Sequence, residues 1–132
     1  FYRGLMLLGL MLSAVSVHSV AQASQPPIVQ ARATDLVNQG VQKAEQGDFR
    51  GAIAAYNQAL SINPKLTTAY VYRGLAHHDS GNLQPAFSDF DRAVQLDPQN
   101  ATAVFNRGEV RTDLKDFEGA IADLSRAIQL QP

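Results

Sequence analysis

The sequence predicts an all-α fold, a solenoid of three helix-turn-helix units, and three observations carry that prediction. The first is a fixed interval: Pro64, Pro98 and Pro132 are evenly spaced, and Gly40, Gly74 and Gly108 keep the same step. So do Ala52, Ala86 and Ala120, then Ala59, Ala93 and Ala127, and a large apolar residue returns as Tyr56, Phe90 and Leu124. Five columns in one register over three copies mark a repeat architecture. The second observation is helical spacing of apolar residues on both sides of a break such as Ser80-Gly81. The third is a capping residue ahead of every second helix: Asp48, Asn82 and Asp116.

The segment 1–23 reads as an address rather than as part of the fold. Arg3 precedes the apolar run Leu5 to Val17, and Ala21-Gln22-Ala23 closes the segment before Ser24-Gln25-Pro26-Pro27. A charged start, a short apolar middle and a small-x-small end make a secretory signal peptide, cleaved after Ala23. A spanning helix needs about 20 apolar residues, and Ser13, Ser16, His18 and Ser19 interrupt this run. The prediction is therefore an exported chain, periplasmic or extracellular, without a membrane anchor after cleavage. Residues 24–32 are expected to form an extended linker, because the residue before a proline avoids the α region. The sequence begins at Phe1 rather than Met and stops at Pro132 in mid-pattern, which predicts a piece of a longer chain.

The three repeats are 33–66, 67–100 and 101–132. In the second, Ala69, Tyr70, Arg73, Gly74 and His77 fall on one helix. Leu83, Ala86, Phe87, Phe90, Ala93 and Val94 form the apolar stripe of the next. Pro85 falls three residues after Asn82, within a first turn, where its missing N–H would be unbonded in any case. Asn63-Pro64 and Asp97-Pro98 stop the second helices. The glycine column is expected where the two helices of a unit cross, with Ala52, Ala86 and Ala120 opposite and the large column filling the space between successive units.

These columns resemble the tetratricopeptide repeat over Ala33 to Pro132. The family's leading tryptophan is replaced by Leu36, Tyr70 and Val104, which still supply bulk. The resemblance implies a right-handed superhelix with a concave peptide-binding groove lined by the first helices. Its groove columns fall on Val37, Val71 and Phe105, on Val41, Leu75 and Glu109, and on Ala44, His78 and Thr112. Glu45, Asp79 and Asp113 run beside them as an acidic row. In chaperone adaptors of the family a clamp of lysine, asparagine and arginine holds a partner's terminal carboxylate. The matching positions here are Val37, Val41, Tyr72, Thr102 and Asn106, which lack the cationic part. An apolar strip with an acidic edge suits a partner segment carrying apolar and basic side chains.

Composition excludes several function classes. The chain has no cysteine, and so no disulfide framework, thiolate metal site or cysteine nucleophile. Its net charge is −1, or −2 with 10 basic against 12 acidic residues once Arg3 is removed. No basic stripe for nucleic acid exists. His77 and His78 point about 100° apart on a helix and cannot share one metal; no cofactor or metal site is predicted. Neither Ser80 nor Ser88 has a base in a recognisable arrangement, so no enzymatic activity is expected of these residues.

Arg73 and Arg107 share one column, while Asp89 and Asp123 share another, later in the same units; the first repeat has Gln39 and Ala55 instead. Partners that come and go together predict an ion pair within a repeat. The predicted function is a protein-interaction module or scaffold; the alternative is a targeting or regulatory domain of a larger exported enzyme. Phe117, Ile121, Leu124, Ile128 and Leu130 leave the last helix apolar, which predicts self-association or a covering segment at that end.

Overall fold

The computed structural model describes residues 25–131. The chain divides into two compact units, Phe1–Ala31 and Arg32–Pro132, and the expected signal peptide over 1–23, like Pro132, lies outside the described residues. Among the described residues there are six α-helices and no strand. They are α1 (Pro27–Glu45), α2 (Phe49–Ile62), α3 (Thr67–Asp79), α4 (Leu83–Leu96), α5 (Ala101–Asp113) and α6 (Phe117–Leu130). Helices α1 and α2, α3 and α4, and α5 and α6 pack as the three repeat pairs. Helix α3 also touches α5 directly, so these first helices lie side by side.

One expected boundary is corrected. Residues 24–32 were expected to be extended, yet α1 begins at Pro27. Proline at the first helical position has its φ already set and has no N–H to leave unbonded. The Pro26 carbonyl accepts from Val29 and Gln30 N–H and starts the first turn.

Each turn from first to second helix is built the same way. The Asp48, Asn82 and Asp116 N–H groups donate back to the carbonyls of Lys43, His77 and Arg111 at 2.8–2.9 Å. Gly47, Gly81 and Lys115 donate to Ala44, His78 and Thr112 at 2.9–3.0 Å. This paired closure requires a left-handed residue after the helix. Gly47 and Gly81 take it at φ 80°, but the third copy places Lys115 there at φ 67°.

The second helices start on their caps, with one exception. Asp48 accepts from Gly51 N–H and Asp116 from Gly119 N–H, each three residues on. Asn82 occupies the same position but makes no side-chain cap bond. The residue three on is Pro85, which has no N–H to donate. The two glycines serve the cap as well, since a Cβ at Gly51 or Gly119 would run into the capping carboxylate.

Packing follows the repeat columns, with a second correction. A Cβ on Gly40, Gly74 or Gly108 would meet the Tyr56 ring, the Phe90 ring or the Leu124 side chain respectively. The residue opposite each glycine is thus the large one, not the expected alanine. Tyr56 clusters with Ala69 and Ala76 of the following unit, and Phe90 with Ala103 and Val110. Each ring therefore closes its own unit and joins it to the next. The alanine columns are buried, with Ala52, Ala86, Ala59 and Ala93 all at 0% exposure. Leu124 is only half-buried, while Phe117, Ile121 and Ile128 are exposed.

Lys115 gives a direct test of the turn. A non-glycine residue in this region carries a steric cost that glycine does not. Lys115→Gly is expected to raise unfolding stability by about 0.5–1 kcal/mol, measured by urea denaturation. No gain, or a loss, would mean that the third turn is held by contacts other than its backbone closure.

Candidate functional site

The polar framework that positions the first helices is a pair of arginine forks. Arg73 donates to Asp89 through Nε at 2.9 Å and Nη2 at 2.6 Å, while its Nη1 donates to Asn57 Oδ1 at 2.9 Å. Arg107 repeats the pattern, donating to Asp123 at 2.9 and 2.7 Å and to Asp91 at 2.9 Å. Each guanidinium thus ties its own unit together and also grips the second helix of the unit before. The pairing within a unit was legible in the columns; the link between units was not. Its signal is a third column, Asn57 and Asp91, spaced by the same interval as the others.

Burial makes these pairs matter. Asp89 and Asp123 are each 4% exposed and would be strongly disfavoured there without partners. Hydrogen bonds to Asp89 and Asp123 hold the Arg73 and Arg107 guanidinium groups above the ordinary arginine pKa range. Asp123 receives a second cation, since Arg111 Nη1 donates to it at 2.8 Å. Burial pushes the neighbouring His77 below the ordinary histidine range, so its ring stays neutral near pH 7.

The expected groove residues divide into groups. Val37 and Val71 are buried, at 5% and 7% exposure, inside clusters completed by the next unit. Both pack against the following unit, whereas Phe105 in the same column is 47% exposed. Phe105 instead lines a depression of about 250 Å³ with Ile128, Ala127 and Gln131 on the last unit. Val41 and Leu75 line open space. His78 points at the next first helix, its Nε2 2.7 Å from Asp113 Oδ2. Glu109 and Thr112 are exposed, with the Thr112 hydroxyl donating to the Gly108 carbonyl.

Two depressions run along the first helices. One, of about 320 Å³, lies between α1 and α3 and is walled by Val41, Ala44, Phe49, Tyr56, Tyr72 and Leu75, with Glu45 and Asp79 on its lining. The other, of about 360 Å³, lies between α3 and α5 and is lined by Thr68, Val71, Tyr72, Leu75, Asn100 and Thr102. Tyr72 and Leu75 belong to both and make them one strip. Tyr72 stacks on Tyr56 with ring centroids 6.2 Å apart and planes 20° apart. Burial, aided by Tyr72 and Glu45, pushes the Tyr56 phenol up to about 12. Sequence reasoning placed Tyr72 only at a clamp position. Its role as the shared wall follows from standing one residue after the packed Val71, on the adjoining open face.

Among the described residues no cluster of three or more histidine, cysteine or acidic side chains could hold a metal. No described helix is long and apolar enough to cross a membrane. The arrangement offers an open, mostly apolar strip on a rigid helical support, which is the geometry of a binding surface.

Comparison with known proteins agrees. A TPR repeat model matches residues 40–81, and two tetratricopeptide repeat models match 67–100 and 86–132. Overlapping from 40 to 132, they show that the chain belongs to the tetratricopeptide repeat family. Among solved structures it is similar to the first TPR of Spaghetti (RPAP3) bound to the HSP90 peptide SRMEEVD. That likeness has 27% identity and a TM-score of 0.77, covering 78% of this chain and 82% of that one. The Arabidopsis OM64 TPR domain is 25% identical, with a TM-score of 0.76 and 79% and 86% covered. The Sgt2 TPR domain from Aspergillus fumigatus is 28% identical, with a TM-score of 0.73 and 75% and 66% covered. No curated protein matches the chain. The fold is that of a protein-interaction module.

The forks can be measured directly. A double-mutant cycle on Arg107 and Asp123 is expected to show coupling of about 1 kcal/mol or more in chemical denaturation, since residues in contact fail to add. Strict additivity would reduce the fork to two independent charges.

Proposed function

We propose that the chain is an exported interaction module that holds a peptide segment of a partner protein along the strip formed by Val41, Tyr72 and Leu75. The observation that carries this reading is the continuity of the two depressions through Tyr72 and Leu75, on one side of a stacked helical support. Peptide binding by the first TPR of Spaghetti supports the class of ligand, not its sequence. The acidic SRMEEVD type does not suit this strip. Val37, Val41, Tyr72, Thr102 and Asn106 stand where a cationic clamp would be, and Val37 is buried.

Leu75→Asp is the informative substitution, because Leu75 lines both depressions and is only half-buried. Displayed random peptides selected on the unaltered protein are expected to lose roughly tenfold or more in affinity for the variant, with its helical circular dichroism at the assay temperature showing that it is still folded. Equal binding by both proteins would remove the strip from the function.

Export and self-association complete the proposal. The address-like character of residues 1–23 supports export, and the exposed Phe117, Ile121 and Ile128 support association through the last unit. Recovered from outside the cytoplasm, the protein is expected to begin at Ser24, and its mass in solution to rise with concentration. A mature terminus that retains Leu5 to Val20 would make the segment an anchor, and a mass that stays monomeric would close the α6 face.

A further inference from the structure

Glu45, Asp79 and Asp113 are the last residues of α1, α3 and α5, so each carboxylate stands at the negative end of a helix. Their surroundings differ at the two junctions between units. At the second junction His78 Nε2 lies 2.7 Å from Asp113 Oδ2, and a side chain of the protein itself supplies the donor. At the first junction Ala44 holds the place of His78, standing to Asp79 in the chain as His78 stands to Asp113. Alanine supplies nothing. Among the described residues no hydrogen bond or ion pair reaches the Glu45 or Asp79 carboxylate.

These two carboxylates line the depression between α1 and α3, whose other walls are Val41, Ala44, Phe49, Tyr56, Tyr72, Leu75 and Ala76. No basic side chain lines it. An apolar and aromatic hollow with two unpaired carboxylates is complementary to a long side chain with a hydrocarbon stem and a cationic head. The stem would lie on Val41 and Leu75, and the head would meet Glu45 and Asp79 beside the half-exposed Tyr72 ring. The protein already places arginine over aromatic faces elsewhere, Arg73 over Tyr70 at 5.5 Å and Arg111 over Phe87 at 5.3 Å.

Resting on the peptide strip proposed above, we infer that the hollow between α1 and α3 is a subsite for an arginine or lysine side chain of the bound segment. The open space at Ala44 is what leaves Asp79 available, and His78 fills the equivalent space one unit on. The partner is a peptide segment that combines apolar residues with a basic one. This is opposite in charge to the peptide seen on the Spaghetti domain.

Three fluorescent peptides of one length test this on the full chain. They carry identical leucine-rich flanks and differ only in a central arginine, citrulline or glutamate. The arginine peptide is expected to bind roughly tenfold tighter than the citrulline peptide, and the glutamate peptide more weakly still. The preference should disappear in the Glu45→Gln, Asp79→Asn double variant, whose altered side chains are both exposed and leave the core untouched. Ala44→His should weaken it with both carboxylates intact, by giving Asp79 the partner that Asp113 has while Glu45 stays free. His78→Ala should add a second arginine-preferring site at Asp113. If arginine and citrulline peptides bind equally well, the cationic subsite is overturned while the apolar strip stands. If no peptide binds, strip and subsite fall together.

Discussion

The contact between a glycine of one helix and a ring or large aliphatic side chain of the next sets the geometry on which everything else depends. At Gly74 an added Cβ would lie 2.8 Å from the Phe90 ring, so the two helices are as close as the ring allows. That spacing brings Arg73 within hydrogen-bond reach of Asp89 across the same pair. It also turns the outer face of the ring towards Ala103 and Val110 of the following unit. Interiors packed to this density respond to small changes of volume. A methyl group at the glycine would therefore disturb the unit, its ion pair and its junction together.

Much of this was legible because a repeat states each rule three times. The evenly spaced columns located the helices, and the joint occurrence of Arg73 with Asp89 and Arg107 with Asp123 located the forks. What escaped depends on contacts between units or on single departures from the pattern. Asn82 reads as a cap, but its natural donor is the proline at 85. Pro27 reads as a linker residue, but at a first helical position it begins a helix. Val37 reads as groove wall but packs in the cluster it shares with Ala69 and Ala76, while Val71 packs in its own cluster and still edges the hollow between α3 and α5.

The candidate site was legible in part for the same reason. The Val41 and Leu75 column and the acidic row were visible as patterns, whereas the joining of two hollows by Tyr72 required the stacked geometry. The difference between the two junctions shows how small the distinction can be. A single column, Ala44 against His78, decides whether a carboxylate at a helix end is satisfied internally or left for a ligand. The family supplies the support, and such single positions supply the selectivity.

The second bond of each arginine has a further consequence for how the stack responds to salt. The first junction is fastened by Arg73 to a neutral amide, Asn57, and the second by Arg107 to a carboxylate, Asp91. Asp91 is partly open to solvent, so dissolved ions screen its attraction, while an amide acceptor is much less affected. In a linear stack each unit adds to its own stability only what its immediate neighbours supply. Ionic strength therefore acts on the two fasteners unequally, and concentrated salt weakens the one at the third unit more than the one at the first. That unequal response to salt rests on one amide and one acid, at matching positions of neighbouring units.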